Sequence, residues 1–224
     1  MQEPGKLATN TPLDKILNGG LDRDAITNVY GPAGSGKTNI GLATAISCPE
    51  KVIYIDTEGS FSLERFRQMG GEKKLASIIM LDVHTWDEQH KTVMKLEKIV
   101  EKEKVGLIVV DSLVNLYRLE LDSANFQQTN RQLATQYSVL SRITRKFKIP
   151  VLVTNQVYSR GEEIELTSRM IARYWSKTLV ELKKTDKENC RVAIIRKHRS
   201  VAEGRKIEFE ITEKGLKQVG IFSL

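Results

Sequence analysis

Eight residues, Gly31-Pro32-Ala33-Gly34-Ser35-Gly36-Lys37-Thr38, follow the strand-like run Ala25 to Tyr30 and constrain this chain more than any other stretch. They have the spacing of a P-loop. Glycines at 31, 34 and 36 allow backbone conformations that turn successive N–H groups inward on one phosphate, and a helix starting near Lys37 adds the positive end of its dipole. Lys37 then reaches the β- and γ-phosphates of ATP, and Thr38 offers its hydroxyl to Mg²⁺. The other reading is a glycine-rich turn that binds nothing, and the complete pattern between a strand and a helix argues against it.

The pattern around this motif alternates strands with helices. Thr9-Asn10-Thr11-Pro12 caps a short helix carrying Leu13, Ile16 and Leu17, which Gly19-Gly20 ends. Pro49 stops the P-loop helix, and Val52 to Ile55 is a continuous apolar run, as in a strand buried on both faces. Ile78 to Leu81 is a second, short strand. A helix from Trp86 to about Lys104 follows, with Val93, Leu96, Ile99 and Val100 inward, and then a strand from Gly106 to Asp111. The spacing of Leu133, Tyr137, Leu140, Thr144 and Phe147 predicts a helix from about Phe126 to Lys148, and Val151 to Thr154 a strand ending in Asn155-Gln156. Val157 to Trp175 reads as a mobile polar loop. Thr178 to Leu182, Arg191 to Ile195 and Lys206 to Ile211 alternate in the manner of antiparallel strands. The expected fold is α/β: a mainly parallel central sheet flanked by helices, with antiparallel strands at the C-terminal end.

In such sheets ligands sit beyond the carboxyl ends of the strands. Asp111 closes an aliphatic strand there, where a carboxylate can hold Mg²⁺ opposite Thr38, directly or through water. Glu58 is the candidate general base for in-line attack on the γ-phosphate, with Asp56 as its rival two residues earlier. Gln156 can donate an amide hydrogen bond to the γ-phosphate; otherwise it is an ordinary polar residue opening a loop. Lys37, Glu58 and Gln156 thus form the expected catalytic set.

Length and charge add limits. A chain of 224 residues suits one domain over 1–224, with no linker, repeat or low-complexity run. The start of the chain has no apolar leader and its aliphatic runs are strand-sized, so the expectation is a cytoplasmic protein without a membrane partner. Cys48 and Cys190 stand alone and read as inert thiols. Lys183 to Lys206 carries nine basic residues against three acidic ones, a surplus of +6 within a net +7 for the chain. That favours a polyanion, with a solvated basic face as the alternative.

Three segments together, Tyr54 to Gly59, Val109 to Ser112 and Val153 to Val157, resemble the RecA-type recombinase core in its archaeal and eukaryotic RadA-like branch, over about Lys6 to Val219. RadA-like recombinases carry an N-terminal helix-hairpin-helix domain before the core; this chain starts almost directly at the core. Their first DNA-binding loop is rich in arginine, whereas Leu119 to Gln128 contains Glu120 and Asp122. Their second loop has a double glycine that Val157 to Trp175 lacks. These departures, with the basic Arg196-Lys197-His198-Arg199, are similar to the RadB group of archaeal paralogues. The resemblance implies ATP and Mg²⁺ as ligands, feeble DNA-independent hydrolysis, and DNA binding without strand exchange. It also implies an accessory role in recombination and repair at the nucleoid. Its partners would be single-stranded and branched DNA, RadA recombinase, the Holliday junction resolvase and the small subunit of the D-family DNA polymerase. DNA contacts would fall to Arg160, Arg169 and Arg173, and to Arg196, Lys197, His198 and Arg199. Competing readings are an authentic RadA-like strand-exchange enzyme, a KaiC-like signalling ATPase without DNA, and a nucleotide-gated module whose output is a protein contact.

Overall fold

The computed structural model describes residues 5–122, 124–160, 163–166 and 169–219. A short β1 (Lys6–Leu7) pairs with β2 (Leu21–Asp22) across α1 (Leu13–Ile16). Asp14 ties this entry together by accepting from the Thr9 and Asn10 backbone N–H groups, while Thr11 Oγ1 accepts from Leu13 N–H at 3.2 Å. The main sheet follows with β3 (Ile26–Gly31), α2 (Lys37–Ser47), β4 (Lys51–Asp56), α3 (Leu63–Gln68), β5 (Ile78–Asp82), α4 (Trp86–Lys102) and β6 (Val105–Asp111). Then come α5 (Asn115–Glu120), α6 (Phe126–Phe147), β7 (Val151–Arg160), β8 (Glu163–Leu166) and α7 (Arg169–Trp175). The chain closes with β9 (Thr178–Lys184), β10 (Cys190–Lys197), β11 (Lys206–Thr212) and β12 (Gly215–Gln218).

The strand order is β12-β11-β10-β9-β3-β7-β6-β4-β5. From β9 to β5 neighbouring strands are parallel, and from β9 to β12 they are antiparallel. The continuous apolar runs follow from burial on both faces. On one face Ile53, Ile55, Ile108, Val110, Val151 and Val153 pack with α4, α6 and α7; on the other Val52, Tyr54, Leu107, Val109 and Leu152 pack with α1 and α2. Alternation along each strand therefore sends successive residues into two separate cores.

The helices obey the same logic. Thr85 and Glu88 form a reciprocal capping box that starts α4, and α6 ends where Lys148 takes a left-handed φ of 55° ahead of Pro150. Leu133, Tyr137, Leu140 and Thr144 face the core as their spacing predicts, while Phe147 is partly buried.

Two expectations change. β7 continues past Gln156 to Arg160, and instead of a loop over 157–175 there is a β7–β8 hairpin followed by α7, with Val157 paired to Leu166. The hairpin is hard to read from sequence because the end of β7, Val157-Tyr158-Ser159-Arg160, has no apolar alternation and β8, Glu163-Ile164-Glu165-Leu166, alternates over only four residues. The N-terminal part of 119–128 is likewise helical, closing α5 at Glu120. Burial tests the two-core packing: Leu140→Ala, at a fully buried position, is expected to lower unfolding free energy by about 2–5 kcal/mol. A urea denaturation midpoint equal to wild type would contradict it.

Candidate functional site

β3 delivers the P-loop to the carboxyl edge of the sheet. A Cβ at Gly31 would stand 2.5 Å from the Leu182 carbonyl oxygen, so the close passage of β9 requires glycine there. Pro32 and Ala33 lead into Gly34, whose φ is +70°, and Gly36 at +98° is the residue from which α2 starts. The Ser35 side chain is fully buried with no partner for its Oγ among the described residues, and it lies against Gly31. Lys37 is 8% exposed and donates from Nζ to the Gly31 and Pro32 carbonyls, each at 3.0 Å. Burial lowers its pKa, Glu58 and Asp111 push it back up, and Lys184 adds to the lowering. Thr38 is the second residue of α2. A loop with a buried unpartnered hydroxyl, a buried ammonium resting on its own carbonyls and free helix N–H groups fits a polyphosphate.

Asp111 ends β6 on the α2 face of the sheet. Tyr54 O–H donates to its Oδ2 at 2.9 Å, Ser60 O–H to the same oxygen at 3.1 Å, and Thr154 O–H to Oδ1. Burial, then the Asp111 charge, raise the Tyr54 pKa far enough to keep its phenol a donor. These hydroxyls fix the carboxylate facing the P-loop helix. A hard, oxygen-donor pair of Thr38 and Asp111 suits Mg²⁺.

Asp56 is occupied differently. Its Oδ1 accepts the Glu58 and Ser60 N–H groups at 3.1 Å and its Oδ2 accepts Phe61 N–H at 2.8 Å, so it shapes the turn after β4. That removes it as the rival base. Glu58 points onward: Ser112 O–H donates to Oε1 at 2.7 Å, and Gln156 Nε2 lies 3.2 Å from both carboxylate oxygens. Arg118 Nη1 in turn lies 3.5 Å from Gln156 Oε1. Tyr54, Ser112 and Thr154 lie in the three segments that carry the family resemblance but received no role there, and Ser60 and Arg118 lie outside them, since which hydroxyl or guanidinium reaches Asp111, Glu58 or Gln156 depends on the fold.

The expected DNA-contacting residues separate into two groups. The side chains of Arg160 and Arg169 lie outside the described residues, and Arg173 is exposed on α7. Arg196 to Arg199 do not form a free basic face. Arg196 pairs with Glu181 at 2.6 Å, Lys197 donates to the Ser176 carbonyl at 2.8 Å and to that of Arg173, and the His198 ring is buried 3.7 Å from Asp22. Arg199 donates from Nε to Asp22 at 3.1 Å and from both Nη groups to Asp24. The linear charge count missed these acids because Asp22 and Asp24 lie far away in sequence. Cys48 is buried and its thiol is pushed up to about 11 by desolvation, as expected of an inert thiol.

The Rad51 family model matches residues 6–219. The chain belongs to the Rad51 family. Within it the RadB group stands out. The DNA repair and recombination protein RadB of Methanobrevibacter smithii is 36% identical, over 94% of this chain and 95% of its own length. The RadB proteins of Methanococcus maripaludis and Methanococcoides burtonii are 41% and 42% identical, over 91% and 94% of this chain and 96% of each of theirs. A solved structure described as the RadB recombinase superposes with a TM-score of 0.84 at 37% identity, covering 96% of this chain and all of that one. The RecA-like sheet with its antiparallel end is thus the family fold. Among the described residues no helix is long and apolar enough to cross a membrane.

The Arg199 cluster yields a pH test. Asp24's pKa is lowered, first by the Arg199 hydrogen bond, so the pair's contribution is complete above the unfolded value of ~3.9 and is lost as pH falls through the lower folded value. Arg199→Ala is expected to cost roughly 0.5–1 kcal/mol at pH 7, discounted for its partial exposure, and progressively less below pH ~4. A loss independent of pH, measured by denaturant unfolding, would contradict the assignment.

Proposed function

We propose that this chain is an accessory ATPase of homologous recombination and DNA repair, built as one ATPase-core unit over 1–224. It binds Mg·ATP and DNA, hydrolyses ATP slowly and independently of DNA, and performs no strand exchange of its own. The RadB relatives, named for DNA repair and recombination, support the setting. The observation that carries the reading is the convergence at one sheet edge of a buried Lys37 resting on its own loop, the fixed carboxylate of Asp111, and Glu58 bridged to Gln156.

In this mechanism the P-loop N–H groups and the Ser35 hydroxyl take phosphate oxygens, and the Lys37 ammonium exchanges its two carbonyls for the β- and γ-phosphates. Thr38 and Asp111 would hold Mg²⁺, directly or through water, and the ion would supply neutralisation of phosphate charge. Glu58 orients and deprotonates the attacking water, and Gln156 reports the γ-phosphate to β7. Slow turnover is supported by the state of Glu58, whose carboxylate already takes hydrogen bonds from Ser112 and Gln156 and must give up part of that network to engage water.

The proposed partners are DNA, single-stranded and branched, RadA recombinase, the Holliday junction resolvase and the small subunit of the D-family polymerase, in the cytoplasm at the nucleoid. Arg160, Arg169 and Arg173 are the proposed DNA contacts near the β7–β8 hairpin. The internal pairing of Arg196 and Arg199 favours a second reading, a nucleotide-gated module whose output is a protein contact.

Lys37→Ala is expected to weaken ATP binding roughly ten- to a hundredfold through loss of a charge-assisted contact, leaving the fold intact. Titration with a fluorescent ATP analogue checks it, and equal affinities would reject the nucleotide site. Steady-state turnover is expected below ~1 s⁻¹, the lower end of the usual enzyme range, and unchanged by single-stranded DNA. A faster, DNA-stimulated rate would put a strand-exchange enzyme first.

A further inference from the structure

The β9–β10 hairpin carries two cations that the reading above leaves unused. Lys184 and Arg191 are directly opposite each other across the two strands. Alternation puts both on the α2 face, in line with Val180 and Leu182 on β9 and with Ala193 and Ile195 on β10, all of which pack in the core beneath α2. That face meets the apex of the P-loop. Arg191 donates from Nε to the Gly34 carbonyl at 3.0 Å and from Nη1 to the Cys190 carbonyl at 2.7 Å. A Cβ at Gly34 would stand 3.4 Å from Lys184 Nζ.

Like charges directly opposite in a sheet destabilise it unless an anion lies between or beside them. The neighbours of this pair do have acids: Lys183 lies 3.6 Å from Glu181, which also holds Arg196. The Lys184 side chain has neither an ion pair nor a hydrogen bond among the described residues, although Asp186 and Glu188 stand in the same turn. It is exposed, while Ser35, one residue past Gly34, is fully buried with its hydroxyl unpartnered. Two cations held at the rim of a loop that itself contains an unsatisfied donor and a buried ammonium call for a polyanion centred on that loop.

We propose that Lys184 and Arg191 are phosphate ligands supplied to the P-loop from within the same chain, with Arg191 bracing the loop through Gly34 and both cations contacting the polyphosphate of a bound nucleoside di- or triphosphate. This rests on the P-loop being a nucleotide site. The hairpin then serves as a cationic wall on the β9 flank of the phosphates, across the loop from Glu58 and Gln156, which reach the site from β4 and β7. Its consequence is a nucleotide affinity that depends on the antiparallel end of the sheet as well as on the loop.

The test uses the full chain, with fluorescent ADP, a fluorescent non-hydrolysable ATP analogue and a labelled single-stranded oligonucleotide as probes, and thermal unfolding to verify the fold. Among the described residues the Lys184 side chain makes no hydrogen bond or ion pair, so Lys184→Ala removes no internal bond and is expected to weaken both nucleotides roughly three- to tenfold, with the difference shrinking at high salt. Arg191→Ala is expected to weaken them further, and Lys187→Ala, a charge change in the same turn, to stay within about twofold of wild type. Equal losses in Lys184→Ala and Lys187→Ala would mean a diffuse field and overturn the proposal. Retained nucleotide affinity with weakened oligonucleotide binding would assign the hairpin to nucleic acid and overturn it too. If Lys37→Ala loses nucleotide while Lys184→Ala and Arg191→Ala do not, this inference alone falls; if wild type binds no better than Lys37→Ala, the nucleotide site falls with it.

Discussion

The carboxylate of Asp111 is the point on which the site depends. It ends a strand whose seven residues are all buried, and hydroxyls from β4, the following turn and β7 converge on it. A charge in that position is tolerated because Tyr54, Ser60 and Thr154 replace water around it, and the same three contacts pin the ends of three neighbouring parallel strands to one another. The sheet can be apolar on both faces only if its polar groups are gathered at the strand ends. The P-loop, Glu58, Asp111 and Gln156 are where that requirement puts them.

A second link runs through Glu58. Gln156 and Ser112 grip the same carboxylate, and Arg118 approaches Gln156 from α5. Whatever alters β7 beyond Gln156 therefore acts on the candidate base through one amide, and whatever binds beside Glu58 acts on β7 by the same path. Beyond Gln156, β7 continues into its pairing with β8, which gives the connection a lever made of paired strands.

Much of this was legible in the sequence because it is local. The P-loop, the aliphatic strands and α6 announce themselves through short-range spacing, and the fold class follows from their alternation. Asp56 and Glu58 could not be separated from sequence, since only the turn geometry shows that Asp56 spends its oxygens on three backbone N–H groups. The internal partners of the basic quartet were hidden for a related reason. A charge count along the chain sees Arg196 and Arg199 but not Glu181, Asp22 and Asp24, which reach them through the fold. The β7–β8 hairpin and β12 were missed because strands of four residues, such as β8 and β12, are too short for their alternation to stand out from a polar loop.

The central claim is that nucleotide binding at the P-loop is transmitted through Glu58 and Gln156 to β7. Hydrogen exchange of the backbone amides, with and without Mg·ATP, tests it most directly. The account predicts slower exchange over Gly31 to Thr38 together with a changed rate over Thr154 to Val157 in the wild-type chain, and neither change in Lys37→Ala. Slowing confined to the P-loop, with β7 exchanging as before, would contradict it.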